Sequence, residues 1–93
     1  MTEFANNNSR NRYEMTVDGA VAFINYQMKD GAVALTHTEV PESLSGQGVG
    51  SKLVQNTLND IRDRGLKLIP YCTFVQNYLE KHPEYQDIVL QRG

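Results

Sequence analysis

The run Ser45-Gly46-Gln47-Gly48-Val49-Gly50-Ser51 lies between a strand-like segment and a helical one, with glycine at three alternate positions. Backbone N–H groups at a helix start lack intrahelical acceptors and carry roughly half a positive charge between them. Glycines let the chain bend sharply there and let an anion approach the backbone. The run therefore reads as an anion-binding loop that opens a helix. Two nucleotide loops fail on spacing. The dinucleotide fingerprint needs Gly-x-Gly-x-x-Gly after a parallel strand, and the triphosphate loop needs Gly-Lys followed by Ser or Thr. Here the order is Gly46-x-Gly48-x-Gly50, then Ser51-Lys52. A plain glycine-rich connection is the simplest competing reading.

Upstream of the loop, Tyr13, Met15 and Val17 alternate with Arg12, Glu14 and Thr16, the period of a half-buried strand. Asp18-Gly19 then signals a two-residue hairpin, because both central residues of a type I′ turn take positive φ. A second strand over 20–28 carries Val21, Phe23, Ile24 and Tyr26, and Asp30-Gly31 closes another hairpin. The third strand, 32–40, is expected to set Val33, Leu35, His37 and Glu39 along one side before Pro41 ends it. These strands make a three-stranded antiparallel meander. Residues 1–10 have Phe4 as the only large apolar side chain after Met1, contain Asn6-Asn7-Asn8-Ser9, and read as a flexible tail before a single domain over 11–93.

Downstream, a helix is expected over 48–64. Leu53, Val54, Thr57, Leu58 and Ile61 form its apolar stripe, and Gly65 is its C-terminal cap. Leu66-Lys67-Leu68-Ile69 is a short strand stopped by Pro70. The intervening helix makes it parallel to the strand before the loop. Thr73 with Gln76 matches a capping box for a second helix, whose face carries Phe74, Val75, Tyr78 and Leu79 and which stops by His82-Pro83. A last short strand is expected around 87–90. The order is a meander followed by β-α-β-α, an α/β fold (α+β in its segregated hairpins) with a mixed, mostly antiparallel sheet and two main helices.

The chain has 93 residues, a net charge of −2 and one cysteine. The charge and the lack of a basic run disfavour nucleic acid as a partner. Neither a signal segment nor an apolar run long enough to cross a bilayer is legible, so no membrane partner is expected. A lone Cys72 points by default to a reducing, cytoplasmic setting. No metal site is expected.

From Leu35 to Val89 the sequence resembles the GNAT N-acetyltransferase superfamily, and within it a small single-domain branch. The matching stretches are His37-Thr38-Glu39-Val40, residues 44–53, Pro70-Tyr71-Cys72 through Tyr78, and His82-Pro83-Glu84-Tyr85. The resemblance implies a fold in which strands three and four splay apart around the pantetheine arm of acetyl-coenzyme A (acetyl-CoA). It implies that Gly46, Gln47, Gly48, Val49, Gly50 and Ser51 hold the pyrophosphate, with Ser45 at the loop's first position. Glu39 and Val40 would lie beside the pantetheine, and Asn77 and Tyr78 on the helix facing the thiol end. Two departures stand out. Ser45 replaces the Arg or Gln common in the superfamily, which removes a cation. The helical cover over the acceptor site, between the first two strands, is replaced by the Asp18-Gly19 turn.

Acyl transfer to an amine needs a base, a polarised carbonyl and a proton for the leaving thiolate. Cys72 precedes the expected cap Thr73, where a helix N-terminus favours a thiolate. The branch implies a role for a cysteine there, as an acetyl carrier, while a small buried side chain is the plain alternative. Either His37 or Glu39 could serve as base. Tyr78 could protonate the thiolate or simply pack in the core. Tyr71, His82 and Tyr85 could line the acceptor side. Two functions follow: an N-acetyltransferase acting on a small-molecule or protein amine, or a non-catalytic module that binds coenzyme A. A generic anion-binding domain is the third.

Overall fold

A computed structural model of the chain describes residues 2–90; Met1 of the expected tail and 91–93 of the expected domain lie outside the described residues. The alternating apolar pattern builds one five-stranded sheet in sequence order: β1 (Thr2–Asn7), β2 (Arg12–Val17), β3 (Ala20–Lys29), β4 (Ala32–Glu39) and β5 (Lys67–Pro70). The first four strands pair antiparallel. β5 returns parallel to β4 after helix α1 (Val49–Asp63), and helix α2 (Thr73–Lys81) follows. Asp18 and Gly19 both take positive φ, 49° and 83°, as the I′ hairpin requires.

Residues 2–7 are not a tail. They form edge strand β1, with Phe4 opposite Met15 and stacked on Tyr13 at 5.7 Å. The asparagines that suggested disorder serve as acceptors. The Tyr26 hydroxyl donates to Asn6 Oδ1 (2.8 Å) and Asn8 Oδ1 (3.0 Å), and Asn7 Oδ1 caps the 3-10 turn Asn8–Arg10 by accepting from the Arg10 N–H. The meander is therefore four-stranded. The connection between the first two strands is that short turn, so the missing helical cover belongs there and not at Asp18-Gly19.

Both helices lie on one face of the sheet. Tyr13, Met15, Ala22, Ile24, Val33, Leu35 and Leu68 from the strands share a core with Leu53, Val54, Leu58 and Ile61 of α1 and Val75 and Leu79 of α2. Burial of these aliphatic side chains, about 1.5–3 kcal/mol each, holds the layers together. Tyr13 reaches through the core to donate to Asp60 Oδ2 at 2.7 Å. Burial first, then the Asp60 carboxylate, pushes its phenol above the usual tyrosine range. The strand expected near the C-terminus is mostly a 3-10 helix, Pro83–Ile88. Among the described residues only Val89 bridges Leu68, in parallel, with the Leu90 N–H donating to the Leu68 carbonyl at 2.8 Å.

Candidate functional site

Two local events shape the region after β4. The first is a β-bulge. Tyr26 pairs with Leu35 but Asn25 with His37, so Thr36 is an extra residue on β4. The inserted residue reverses the alternation beyond it. Val33 and Leu35 face the helices, whereas His37 and Glu39 face the opposite, helix-free side, which corrects the expectation that all four share one side. Thr38, paired with Ile24, takes the helix side in their place.

The second event is the divergence of β4 from β5. They pair only over Ala32–Leu35 and Lys67–Pro70. At that end the Leu35 carbonyl accepts from both the Tyr71 and Cys72 N–H groups (3.1 and 3.0 Å), and the chain then turns into α2. β4 continues to Glu39 without β5 beside it. Because the carbonyls of Gly31 and Leu35 point toward β5, the bulge leaves Thr38 and Val40 with backbone groups turned into the gap. The two strands thus part where β5 ends, next to the inserted residue of β4.

The glycine loop lies at the mouth of this gap. Leu44, buried on the short 3-10 turn Glu42–Leu44, anchors it. Gly46 and Gly48 take φ of +78° and +72°, and no atom lies within 4 Å of a Cβ built on either, so these two glycines are there for backbone sign. Gly50 is different. Its φ is helical, but a Cβ would fall 2.6 Å from Phe74 Cζ, so any side chain there must displace the Phe74 ring of α2. The first intrahelical bond of α1 is Lys52 N–H to Gly48 O (3.1 Å). The N–H groups of Val49, Gly50 and Ser51 precede it and have no intrahelical acceptor. Gly48 offers no side-chain cap and the first turn holds no acidic residue. A helix start without a capping carboxylate, with Lys52 close by, suits an anion.

A cavity of about 290 Å³ opens over these donors, lined by Val40, Leu44, Ser45, Gly46, Gly48, Val49, Gly50, Ser51 and Phe74. Gln47 is outside the lining. Its N–H donates to Leu44 O and its Nε2 to Ser43 O, so it stiffens the loop. Ser45 lines the cavity while its Oγ donates to Glu42 O at 2.9 Å. A second cavity of about 280 Å³ shares Ser51 and Phe74 with the first and adds Asn77, Tyr78, Lys81 and His82.

Cys72, not Thr73, is the N-cap of α2, and it makes no side-chain cap bond. Gln76 accordingly closes no capping box, and its Nε2 donates to Pro70 O at 2.8 Å. The Cys72 sulfur is 8% exposed at the residue level and lies 3.1 Å from Thr38 Oγ1, at the point where β4 and β5 part. His37 and Glu39 pair with each other at 3.6 Å, more than half exposed, on the face of the sheet opposite Cys72. Tyr78 is buried and stacked on His82 with ring centroids 4.1 Å apart. Burial, with Tyr85 and Glu84 adding to it, pushes its phenol above the usual value, so it holds its proton at neutral pH. Tyr85 is buried, its hydroxyl donating to Asn59 Oδ1, and faces the core instead of an acceptor. Tyr71 is half exposed beside Lys29.

Sequence reasoning did not single out Thr38, Phe74 or Lys81 as site residues. Phase alone hides Thr38, which the bulge turns inward. Phe74 had one signal: a glycine at a helix position that needs no positive φ marks a close neighbour.

A five-stranded, mostly antiparallel sheet that splays beside a glycine-started helix defines an acetyltransferase-type α/β fold. The sequence matches the model of the GCN5-related N-acetyltransferase family over residues 12–88. The solution NMR structure of a GCN5-like candidate N-acetyltransferase from Staphylococcus aureus superimposes with a TM-score of 0.73 at 34% identity, covering 98% of this chain and 90% of that one. The human protein NATD1 is 32% identical over 80 residues, 80% of this chain and 70% of its own length. Its Xenopus tropicalis counterpart is 32% identical over 66 residues, 71% of this chain and 60% of its own length. The chain belongs to the GCN5-related N-acetyltransferase family.

Proposed function

We propose that this protein binds acetyl-CoA at the glycine loop and transfers the acetyl group to a primary amine. The observation that carries this reading is the cavity over the uncapped start of α1, which runs beside the gap between β4 and β5. The N–H groups of Val49, Gly50 and Ser51 would hold the pyrophosphate, with Ser45, Gly46 and Gly48 shaping the approach. The backbone of Thr38 and Val40 would accompany the pantetheine arm, and Asn77 would face it from α2. Acetyl-CoA supplies a thioester whose carbonyl carbon bonds the amine nitrogen as the C–S bond breaks and the thiolate takes a proton. Tyr78, neutral at physiological pH, is suited to give that proton. On the alternative two-step route the Cys72 thiol, hydrogen-bonded to Thr38 at the apex of the splay, would give up its proton, take the acetyl group as the coenzyme A thiol leaves, and regain a proton when the amine takes the acetyl from it. His37 and Glu39 would receive the amine proton from the open face.

A second reading, a coenzyme A-binding module without catalysis, draws on one observation: the candidate bases and the thiol lie on opposite faces of the sheet. NMR titration with acetyl-CoA tests the shared part, and no shift at millimolar ligand rejects both readings. Intact-mass spectrometry after incubation separates them. An adduct of roughly 42 Da that Cys72→Ala abolishes, or turnover of any amine in a panel, supports transfer. Binding without adduct or turnover supports the module.

A further inference from the structure

Cys72 is fixed through its backbone at the point where β4 and β5 part. Its N–H donates to the Leu35 carbonyl at 3.0 Å, and its own carbonyl accepts from the Gln76 N–H at 3.0 Å as the first turn of α2 closes. What remains free is the rotation of its side chain. A side chain at a helix N-cap can reach the unpaired N–H groups of the first turn, but the Cys72 sulfur makes no such bond. It lies instead 3.1 Å from Thr38 Oγ1, its one hydrogen-bond partner among the described residues.

Thr38 comes to the sulfur because of the extra residue at Thr36. Beyond the bulge it pairs with Ile24, a core residue, and so faces the helix side. Its neighbours on β4 are engaged otherwise: Thr36 gives its hydroxyl to the Asn25 carbonyl, and His37 and Glu39 pair on the opposite face. Valine has the same branched shape and suits a strand as well, so the hydroxyl is what this position offers the thiol. The titratable groups on the elements packed around the sulfur face elsewhere. His37 and Glu39 of β4 and Lys67 of β5 stand on the helix-free side, and Tyr71 lies beside Lys29 there. Lys52 of α1 is exposed, and Tyr78, further along α2, is stacked on His82. The polar surroundings of the sulfur are therefore the Thr38 hydroxyl and the start of α2.

We infer that Thr38 is the positioning residue of the Cys72 thiol: its hydroxyl holds the sulfur at the apex of the gap and donates a hydrogen bond to it once the thiol proton has left. This assignment rests on the two-step route proposed above. In the first step the Cys72 sulfur bonds the thioester carbonyl carbon, the carbon–sulfur bond to coenzyme A breaks, and the coenzyme A sulfur takes up the proton that Cys72 gave up. In the second the amine nitrogen displaces the Cys72 sulfur from that carbon, the nitrogen losing a proton and the sulfur regaining one. Cys72 is an attacking thiolate in one step and a leaving thiolate in the other, and a hydroxyl donor 3.1 Å away stabilises both.

The chain has a single cysteine, so a carbon-13 label at the cysteine Cβ gives one NMR signal whose position follows ionisation of the thiol. Its pH titration in the full chain tests the assignment, with wild type, Thr38→Val and Thr38→Ser, and circular dichroism checks the fold. Thr38→Val should move the midpoint up by about one pH unit, the roughly tenfold change of a lost hydrogen bond to a charged group. Thr38→Ser keeps the hydroxyl and should restore the wild-type midpoint. The acetyl adduct formed from acetyl-CoA at neutral pH should appear about tenfold more slowly in Thr38→Val and at close to the wild-type rate in Thr38→Ser. A midpoint that Thr38→Val leaves unmoved or lowers, or a rise that Thr38→Ser reproduces, overturns the assignment, while NMR shifts on adding acetyl-CoA keep the cofactor reading intact. Binding of acetyl-CoA by wild type without any adduct overturns the two-step route and the role of Thr38 in it. No response of wild type to acetyl-CoA overturns the cofactor reading as well.

Discussion

Replacing Gly50 with alanine adds one methyl group to the wall between two cavities, and the structure fixes where that methyl would go. It would lie 2.6 Å from Phe74 Cζ and 3.3 Å from Cε1 and Cε2. Carbon atoms rest about 3.5–4.0 Å apart, so the ring must withdraw by roughly 1 Å. Two terms then compete. Alanine is favoured over glycine in a helix by about 1 kcal/mol, and Gly50 has no positive φ to lose. Moving an already half-exposed ring off its rotamer costs about 0.5–1.5 kcal/mol. The sum is near zero, so the melting temperature should stay within about 4–8 °C of wild type. Ligand binding has no such compensation, because Phe74 lines both cavities. Acetyl-CoA affinity should fall about tenfold or more, and Gly50→Ala combined with Phe74→Leu should recover part of it, since the shorter side chain vacates the clash. Gly48→Ala is the contrast. Beyond its chain neighbours nothing lies within 4 Å of its added carbon, but φ is +72°, so it should lose about 1–2 kcal/mol of stability through the local clash of Cβ with the backbone and not through any packed neighbour. Wild-type affinity in Gly50→Ala, or a loss of stability beyond about 3 kcal/mol, would refute this account of the glycine.

Two further predictions concern the scaffold. Tyr13→Phe removes a buried hydroxyl that donates to Asp60, but Asp60 keeps Arg64 at 2.8 Å and stays open to water. The cost should be about 1 kcal/mol, a fall of about 4–8 °C in melting temperature, and a larger loss would mean that Asp60 is left unpaired. Glu14 is held below the usual glutamate value by the Arg12 hydrogen bond, with Asn7 assisting. Its depressed folded value means that its contribution is complete above about pH 4.5, the ordinary value, and fades as pH falls through the folded one. Glu14→Gln should therefore be less stable than wild type at neutral pH and converge on it in acid. Parallel stability curves over pH 2–7 would contradict this.

The parts of the fold carried by local chemistry were legible. Gly48 and Gly65 bracket a helix that the structure bounds at Val49–Asp63, and Asp18-Gly19 turns as its residues require. The first strand was not legible, for a physical reason. An edge strand needs little apolar surface when its backbone pairs with a neighbour, and β1 packs Phe4 against the core while its asparagines act through side-chain acceptors. Composition records neither use. The cap of α2 was displaced by one residue for a similar reason: the Cys72 N–H is taken by Leu35, and its sulfur turns to Thr38.

The bulge at Thr36 matters most for function. Period-two reasoning has no way to register an inserted residue that is neither glycine nor proline, and Thr36 hides it further by donating its own hydroxyl to the Asn25 carbonyl. That one residue decides which side chains meet. With strict alternation, His37 and Glu39 would enter the helix-covered side with Leu35. With the bulge, Thr38 meets Cys72 there, and the two titratable groups stand on the open face beside Phe23. On the proposed transfer reading, this arrangement would make the reaction two-sided. Coenzyme A would come from the helix side, where the uncapped start of α1 lies. The amine would come from the other side, where no helix covers the sheet and where a carboxylate and an imidazole can take its proton. The same inserted residue decides which side chains border the gap between β4 and β5, so sheet register and the candidate chemistry share one origin.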